Sequence, residues 1–175
     1  MSAALTRLLA PSCLLACGLA LCTPVGAVIH ATYNYLNPGA ACQLSIPTTD
    51  TAVRPKATGF RNESTAKSAF VICGYGMPSN DQLVTSIDLY FISIDGGSRN
   101  VSCTAVSGTA GLFPQVYSTK SATSATTVTD MRWLPSDFSG TSQIPYTFSP
   151  SVTCTLPPET SIVFVADGYN LDVGS

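Results

Sequence analysis

Residues 83–106, LVTSIDLYFISIDGGSRNVSCTAV, constrain the fold more than any other stretch of this chain. Ile87, Leu89 and Phe91 alternate with Ser86, Asp88 and Tyr90, the two-residue period of a strand buried on one face. The tract is rich in β-branched and aromatic residues, which suit a pleated surface. Gly96 and Gly97 supply the positive φ that a tight reversal needs. The pattern predicts a β-hairpin. A three-residue loop over 96–98 sets Asp95 opposite Arg99, and Val101, Cys103 and Ala105 on the same side as Phe91, Leu89 and Ile87. A two-residue loop would split that apolar set, and register follows the set that must be buried. Cys103 sits mid-strand in either register.

The same alternation recurs along the chain. Tyr33 and Tyr35 alternate with polar residues, Asn37-Pro38-Gly39 signals a turn, and Cys42, Leu44 and Ile46 form a first core strand. An extended segment over 53–60 contains Pro55, which marks an edge. Further strands are predicted over 69–75 around Cys73, over 112–118, over 126–133 with Thr127, Thr129, Met131 and Trp133 on one side, and near Tyr146 and Phe148. Residues 120–125, KSATSA, read as a loop. Val152, Cys154 and Leu156 share a face, and 161–166, SIVFVA, is apolar on both faces as a central strand would be. Asp167-Gly168 reads as a turn. No helical stripe of useful length occurs. About eight to ten short strands predict an all-β fold: a disulfide-braced antiparallel β-sandwich of Greek-key or jelly-roll type, with a closed barrel as the alternative.

The first 27 residues stand apart. A short n-region with Arg7, an apolar run over 8–21 and small residues at Val25-Gly26-Ala27 predict a signal peptide over 1–27, cleaved after Ala27 or alternatively after Ala31. The apolar run is shorter than the ~20 residues of a membrane span and is broken by Pro11, so no integral span is expected in the mature chain. Leu14-Leu15-Ala16-Cys17 offers a second possibility, a lipoprotein anchored through Cys17. Residues 28–175 are then one β-sandwich domain, secreted or periplasmic.

Of seven cysteines, Cys13, Cys17 and Cys22 fall in the leader. Cys42, Cys73, Cys103 and Cys154 remain, an even set that reads as two disulfides in an oxidising compartment. Their isolation from one another excludes a zinc pattern of paired ligands. Four cysteines allow three connectivities. The preferred one joins successive segments without crossing, Cys42–Cys73 and Cys103–Cys154.

Charged residues make up only 10% of the chain, which excludes the basic footprint of a nucleic-acid binder. The one histidine, His30, lies beside the expected mature start, where disorder is expected, so a Ser-His-Asp or Cys-His site has no base. Neither a metal nor another cofactor is called for. Asp167, Asn170 and Asp172 have the spacing of a weak calcium loop but lack its closing glutamate. Glu63 and Glu159 read as loop acids. A glycoside hydrolase would need two facing carboxylates, which only the fold can assemble. Aromatic side chains offer another route: Trp133 with Tyr117 and Tyr146, and also Tyr75 and Tyr169, can form a sugar-stacking platform. A lone tryptophan sharing a face with Met131 equally fits a core.

Through ACQLSIPTTDTAVRPKATGFRNES, FVICGY, VSCTAV and TCTLPPETSI the chain resembles small exported proteins of gammaproteobacteria. That likeness implies a bacterial exported protein in which the N-x-S/T patterns at Asn62 and Asn100 are incidental, and it brings no activity or site residues. Three functions follow as expectations. The first is a non-enzymatic exported domain that docks another protein or builds an envelope structure. The second is a carbohydrate-binding module using Trp133 and nearby tyrosines, with a polysaccharide as partner. The third is a hydrolase with a carboxylate pair.

Overall fold

The computed structural model describes residues 28–46, 52–76, 84–145 and 150–173. The leader over 1–27 and the strand expected at Tyr146 lie outside these residues. Among the described residues, β1 (Ile29–Leu36), β3 (Val53–Lys56), β4 (Gly59–Asn62), β6 (Val84–Ser93), β9 (Thr129–Trp133) and β11 (Thr160–Asp172) form one sheet. The second sheet holds β2 (Cys42–Leu44), β5 (Ala69–Gly74), β7 (Asn100–Ser107), β8 (Val116–Thr123) and β10 (Ser151–Leu156), in the order β2-β5-β10-β7-β8. All pairings are antiparallel. The architecture is the expected sandwich and not a closed barrel.

β6 and β7 do not pair as a hairpin. β6 pairs with β11 and β9 in the first sheet, whereas β7 pairs with β10 and β8 in the second. The expected inward sets are correct, but they meet across the core: Ile87, Leu89 and Phe91 face Val101, Cys103 and Ala105, all buried. Alternation reports which face is buried, and a face is buried as well against an opposing sheet as beside a neighbouring strand. The corner between them is a clip. Asp95 accepts from Gly97 N (2.9 Å) and from both terminal nitrogens of Arg99 (2.6 Å each). Met131 and Trp133 from β9 and Val152 and Leu156 from β10 complete the core. Each large side chain removed from water in this way contributes about 1.5–3 kcal/mol.

Both disulfides follow the expected connectivity, Cys42–Cys73 and Cys103–Cys154. Each joins directly opposed residues of adjacent strands of the second sheet, with Cα–Cα separations of 4.0 and 4.1 Å. The similar stretches VSCTAV and VTCTLP are thus neighbouring strands that share a bridge.

Three further expectations change. Residues 120–123 belong to β8, not to a loop; β8 is an edge strand whose inward positions Val116, Ser118, Lys120 and Ala122 mix apolar with polar residues, so its alternation is broken. Its edge is covered by β9, where Trp133 Nε1 donates to Ser118 O (3.0 Å) and Thr129 Oγ1 to Thr123 O (3.3 Å). Asp167-Gly168 does not turn the chain, because β11 runs on to Asp172. His30 is not disordered; it pairs with Leu171 in β1. As expected, Pro55 lies on an edge strand, β3. Asn62 is buried, and its side-chain amide bonds the carbonyls of Lys67, Leu156 and Pro157 at 2.8, 3.0 and 3.0 Å, which leaves it closed to glycosylation in the folded state.

β11 organises the first sheet. One of its edges pairs with β6 from Thr160 to Tyr169; the other pairs with β4 over Thr160–Ile162 and with β1 over Val165–Asp172. β4 and β1 therefore lie end to end along one strand, and the interval between them falls at Val163, where β11 bulges against β6.

Candidate binding face

The bulge determines what β11 presents outward. Ile162 opposes Phe91 on the core side, yet Phe164 opposes Tyr90 on the outer side. From there Phe164, Ala166 and Gly168 face outward while Val165 and Asp167 face inward. Across the sheet, Arg132, Asp88, Ala166 and Tyr35 stand in one outward rank. Ser86, Gly168 and Tyr33 form the next, and Asp130, Tyr90 and Phe164 flank the first on its other side. Ala166 and Gly168 lie between aromatic and charged side chains and are themselves buried. A Cβ on Gly168 would lie 2.5 Å from Ser86 Oγ and 3.2 Å from the Tyr33 ring, so only glycine permits this approach.

The aromatic wall is open to solvent: Tyr33 is 41% exposed, Tyr35 62% and Phe164 51%. The Tyr33 and Tyr35 rings lie 6.0 Å apart, tilted by 33°, and Tyr90 meets Phe164 edge-on at 6.4 Å. Beyond Tyr35 and Phe164 the face drops into a groove of about 520 Å³ bordered by Pro38, Thr58, Ile92 and Val128. This groove is the interval between β1 and β4. The chain can close so tightly beside it because Gly59, at φ +142°, leaves no Cβ against the Ile162 carbonyl.

The charged wall is a network. Asp88 is fully buried; it accepts from Arg132 Nε and from Ser86 Oγ (2.6 Å). Arg132 Nη2 lies 3.6 Å from Asp130 and 3.5 Å from the Tyr90 hydroxyl. The bond to Asp88 raises the Arg132 pKa above its ordinary value. Burial and the nearby Asp88 charge raise Asp130; burial, then Asp130 and Asp88, raise Tyr90. On the inner side of β11, Asp167 takes a hydrogen bond from Asn34 Nδ2 (3.2 Å), while its Oδ2 is buried with no hydrogen-bond partner among the described residues. Burial pushes its carboxyl up to about 6.

Of the expected platform of Trp133, Tyr117 and Tyr146, the two described residues, Trp133 and Tyr117, do not share a face. Trp133 is wholly buried and offers solvent no ring face. Tyr117 is exposed on the outer face of the second sheet, where its hydroxyl bonds Gln115 Oε1 at 3.0 Å. Tyr146 lies outside the described residues. Tyr75 is buried, with its hydroxyl donating to Asp88 O (3.0 Å). Asp167, Asn170 and Asp172 are strung along a strand and do not converge as a calcium loop does. Glu63 gathers Arg54, Lys56 and Arg61 at 3.0, 3.3 and 3.9 Å, a β3–β4 anchor. The residues that do assemble are Tyr33, Tyr35, Tyr90, Arg132 and Phe164. The alternation of Tyr33 and Tyr35 was visible in sequence; nothing there marked Phe164 as outward.

No protein-family model and no curated protein matches the chain. Among solved structures it is similar to a family 11 carbohydrate-binding module from Clostridium thermocellum in complex with a β-1,3-1,4-mixed-linked tetrasaccharide. The TM-score is 0.35 at 10% identity, with 82% of this chain and 86% of that one covered. A likeness this distant carries no argument about ligand.

Proposed function

We propose that the protein is an exported, non-catalytic domain that binds carbohydrate on the outer face of β1, β11, β6 and β9. The observation that carries this reading is the set of exposed rings Tyr33, Tyr35 and Phe164 on one outward face, beside the groove between β1 and β4. Sugar rings present C–H faces to aromatic faces and hydroxyls to polar groups, and this surface offers both, with Arg132, Asp130 and the tyrosine hydroxyls as the polar set. Two disulfides support export to an oxidising compartment. No described helix is long and apolar enough to cross a membrane. Against catalysis, Asp88 is tied to Arg132 and Ser86, and Asp167 faces the interior.

The test is titration of the oxidised protein with a panel of soluble glycans, beside Tyr35→Ala and Phe164→Ala. Both variants keep their fold by circular dichroism, because the side chains are exposed, and each weakens binding by about tenfold or more. Unchanged affinity in both would remove the proposal.

Docking to another protein is the second reading. It is favoured by the outer face of the second sheet, whose strand residues Phe70, Ile72, Thr104, Thr119, Thr153 and Tyr117 include no charge.

A further inference from the structure

Resting on the carbohydrate reading above, we infer that the ligand is an acidic glycan, with a sugar ring against the groove between β1 and β4 and its carboxylate or sulfate paired by Arg61. Two features carry this, an under-satisfied cation and the groove it stands beside.

The first is charge. Arg54, Lys56 and Arg61 share a single carboxylate, that of Glu63, so positive charge is in excess at this end of the outward face. The sharing is unequal. Arg54 and Lys56 lie 3.0 and 3.3 Å from Glu63, within hydrogen-bond distance, whereas Arg61 Nη1 stands at 3.9 Å. Arg61 Nε is buried and has no hydrogen-bond partner among the described residues. The Arg61 side chain is still 31% exposed, so its guanidinium meets solvent without a hydrogen-bonded anion among those residues. A guanidinium presents a planar fork of N–H donors that matches an oxyanion. The opposite flank of the face has the other sign, with Asp88 and Asp130 against Arg132 alone. An anion on this face is therefore drawn towards β3 and β4 and repelled from β9.

The second is position. Arg54, Arg61, Ser161 and Ile92 stand in one outward rank across β3, β4, β11 and β6. Ile92 borders the groove, and so does Gly59, the residue opposite Lys56. Only the small, fully buried Ser161 lies between Arg61 and Ile92, so their backbones are two strand spacings apart, about 10 Å. The groove adds what charge alone cannot. Its 520 Å³ is bordered by Tyr35, Pro38, Val128 and Phe164, against which the C–H face of a sugar packs while its acid group reaches the cation.

Three probe classes decide the ligand. They are neutral glucan and xylan; acidic glycans, as polygalacturonate, alginate and dextran sulfate; and polyglutamate, a polyanion without sugar rings. The expected result is that an acidic glycan binds about tenfold or more tighter than either neutral chain, and that raised salt weakens it. Retention of polygalacturonate or of dextran sulfate then names the anion as carboxylate or sulfate. Arg61→Gln, with its fold checked by circular dichroism, brings the acidic glycan down to the affinity of the neutral chains. Lys56→Gln is a second variant that weakens the acidic glycan in the same direction, and Phe164→Ala weakens it through the lost ring. Neutral chains bound as tightly as acidic ones, or wild-type affinity for acidic ones in the folded variants of Arg61 and Lys56, overturn the inference and leave the carbohydrate reading standing. Polyglutamate bound as tightly as polygalacturonate overturns it too, since charge alone then suffices. Failure of the folded wild-type protein to bind any glycan removes the carbohydrate reading, and the inference with it.

Discussion

The guanidinium carbon of Arg132 lies 5.9 Å from the centroid of the Tyr33 ring, although β6 and β11 run between their strands. The contact spans the sheet because the intervening outward position on β11 is Gly168. Gly168→Ala places a methyl group against Ser86 Oγ and the Tyr33 ring. The expected outcome is a loss of about 1–3 kcal/mol by urea unfolding, as for other overpacked sites, together with weaker glycan binding. A variant as stable as wild type would show that the walls can part freely.

Asp88 is fully buried and Arg132 is partly exposed, so the two ends of this pair are unequal. Arg132→Ala strands a buried carboxylate and is expected to destabilise by about 3 kcal/mol. Asp88→Asn in the same background removes the stranded charge and recovers most of that loss. Equal stabilities for the single and double variants would show that water already solvates Asp88.

Trp133 packs in the core with its indole N–H on the Ser118 carbonyl. Trp133→Ala is expected to cost about 3–5 kcal/mol in chemical unfolding. The milder Trp133→Phe leaves the outer face intact and binds glycan like wild type. Lost binding in a folded Trp133→Phe protein would relocate the site.

The carboxyl of Asp167 is pushed up to about 6, chiefly by burial. An aspartate in the unfolded chain titrates near 4. Between about pH 4 and about pH 6 the folded protein holds a proton that the unfolded chain has lost, so this group's contribution to stability falls as pH rises. Asp167→Asn cannot ionise, and its stability relative to wild type is expected to rise across that window and then level off. A difference independent of pH would mean that Asp167 titrates normally.

The disulfides close segments of 31 and 51 residues. Replacing either pair by alanine is expected to cost about 3–4 kcal/mol. Both bridges lie in the second sheet, so a doubly substituted protein that stays folded under mild conditions keeps its glycan affinity. Loss of binding while circular dichroism is unchanged would link the bridges to the outer face of the first sheet.

Much of this architecture is legible in the sequence. Cys154 between Val152 and Leu156, and Cys103 between Val101 and Ala105, announce their inward faces by simple alternation, whereas their bridge is one of three pairings that the sequence leaves open. Pro55 announces an edge because it lacks an amide to donate. What alternation does not convey is the identity of the partner. Phe91 and Val101 are close in sequence and both inward, and only the packing of the whole chain sends them to different sheets. The strand at Lys120 is hidden because Ser118 and Lys120 hold inward places between Val116 and Ala122 and interrupt the alternation. The binding face was hidden for a different reason: strict alternation through Ile162, Val163 and Phe164 assigns the phenylalanine to the core, and a bulge is not written in residue type.

That bulge makes the face a matter of counting. Val163 is one residue more than β6 has to match, and it sets the phase of everything that follows on β11. Were Val163 paired in regular register instead, Phe164 would enter the core, Gly168 would turn inward, and the carboxylate of Asp167 would stand on the surface. The composition would not change at all, yet the face would lose one of its rings. A chain of this kind can lose its outward surface through a slip of register while keeping its sheets, as a sentence keeps its letters when the reading frame shifts.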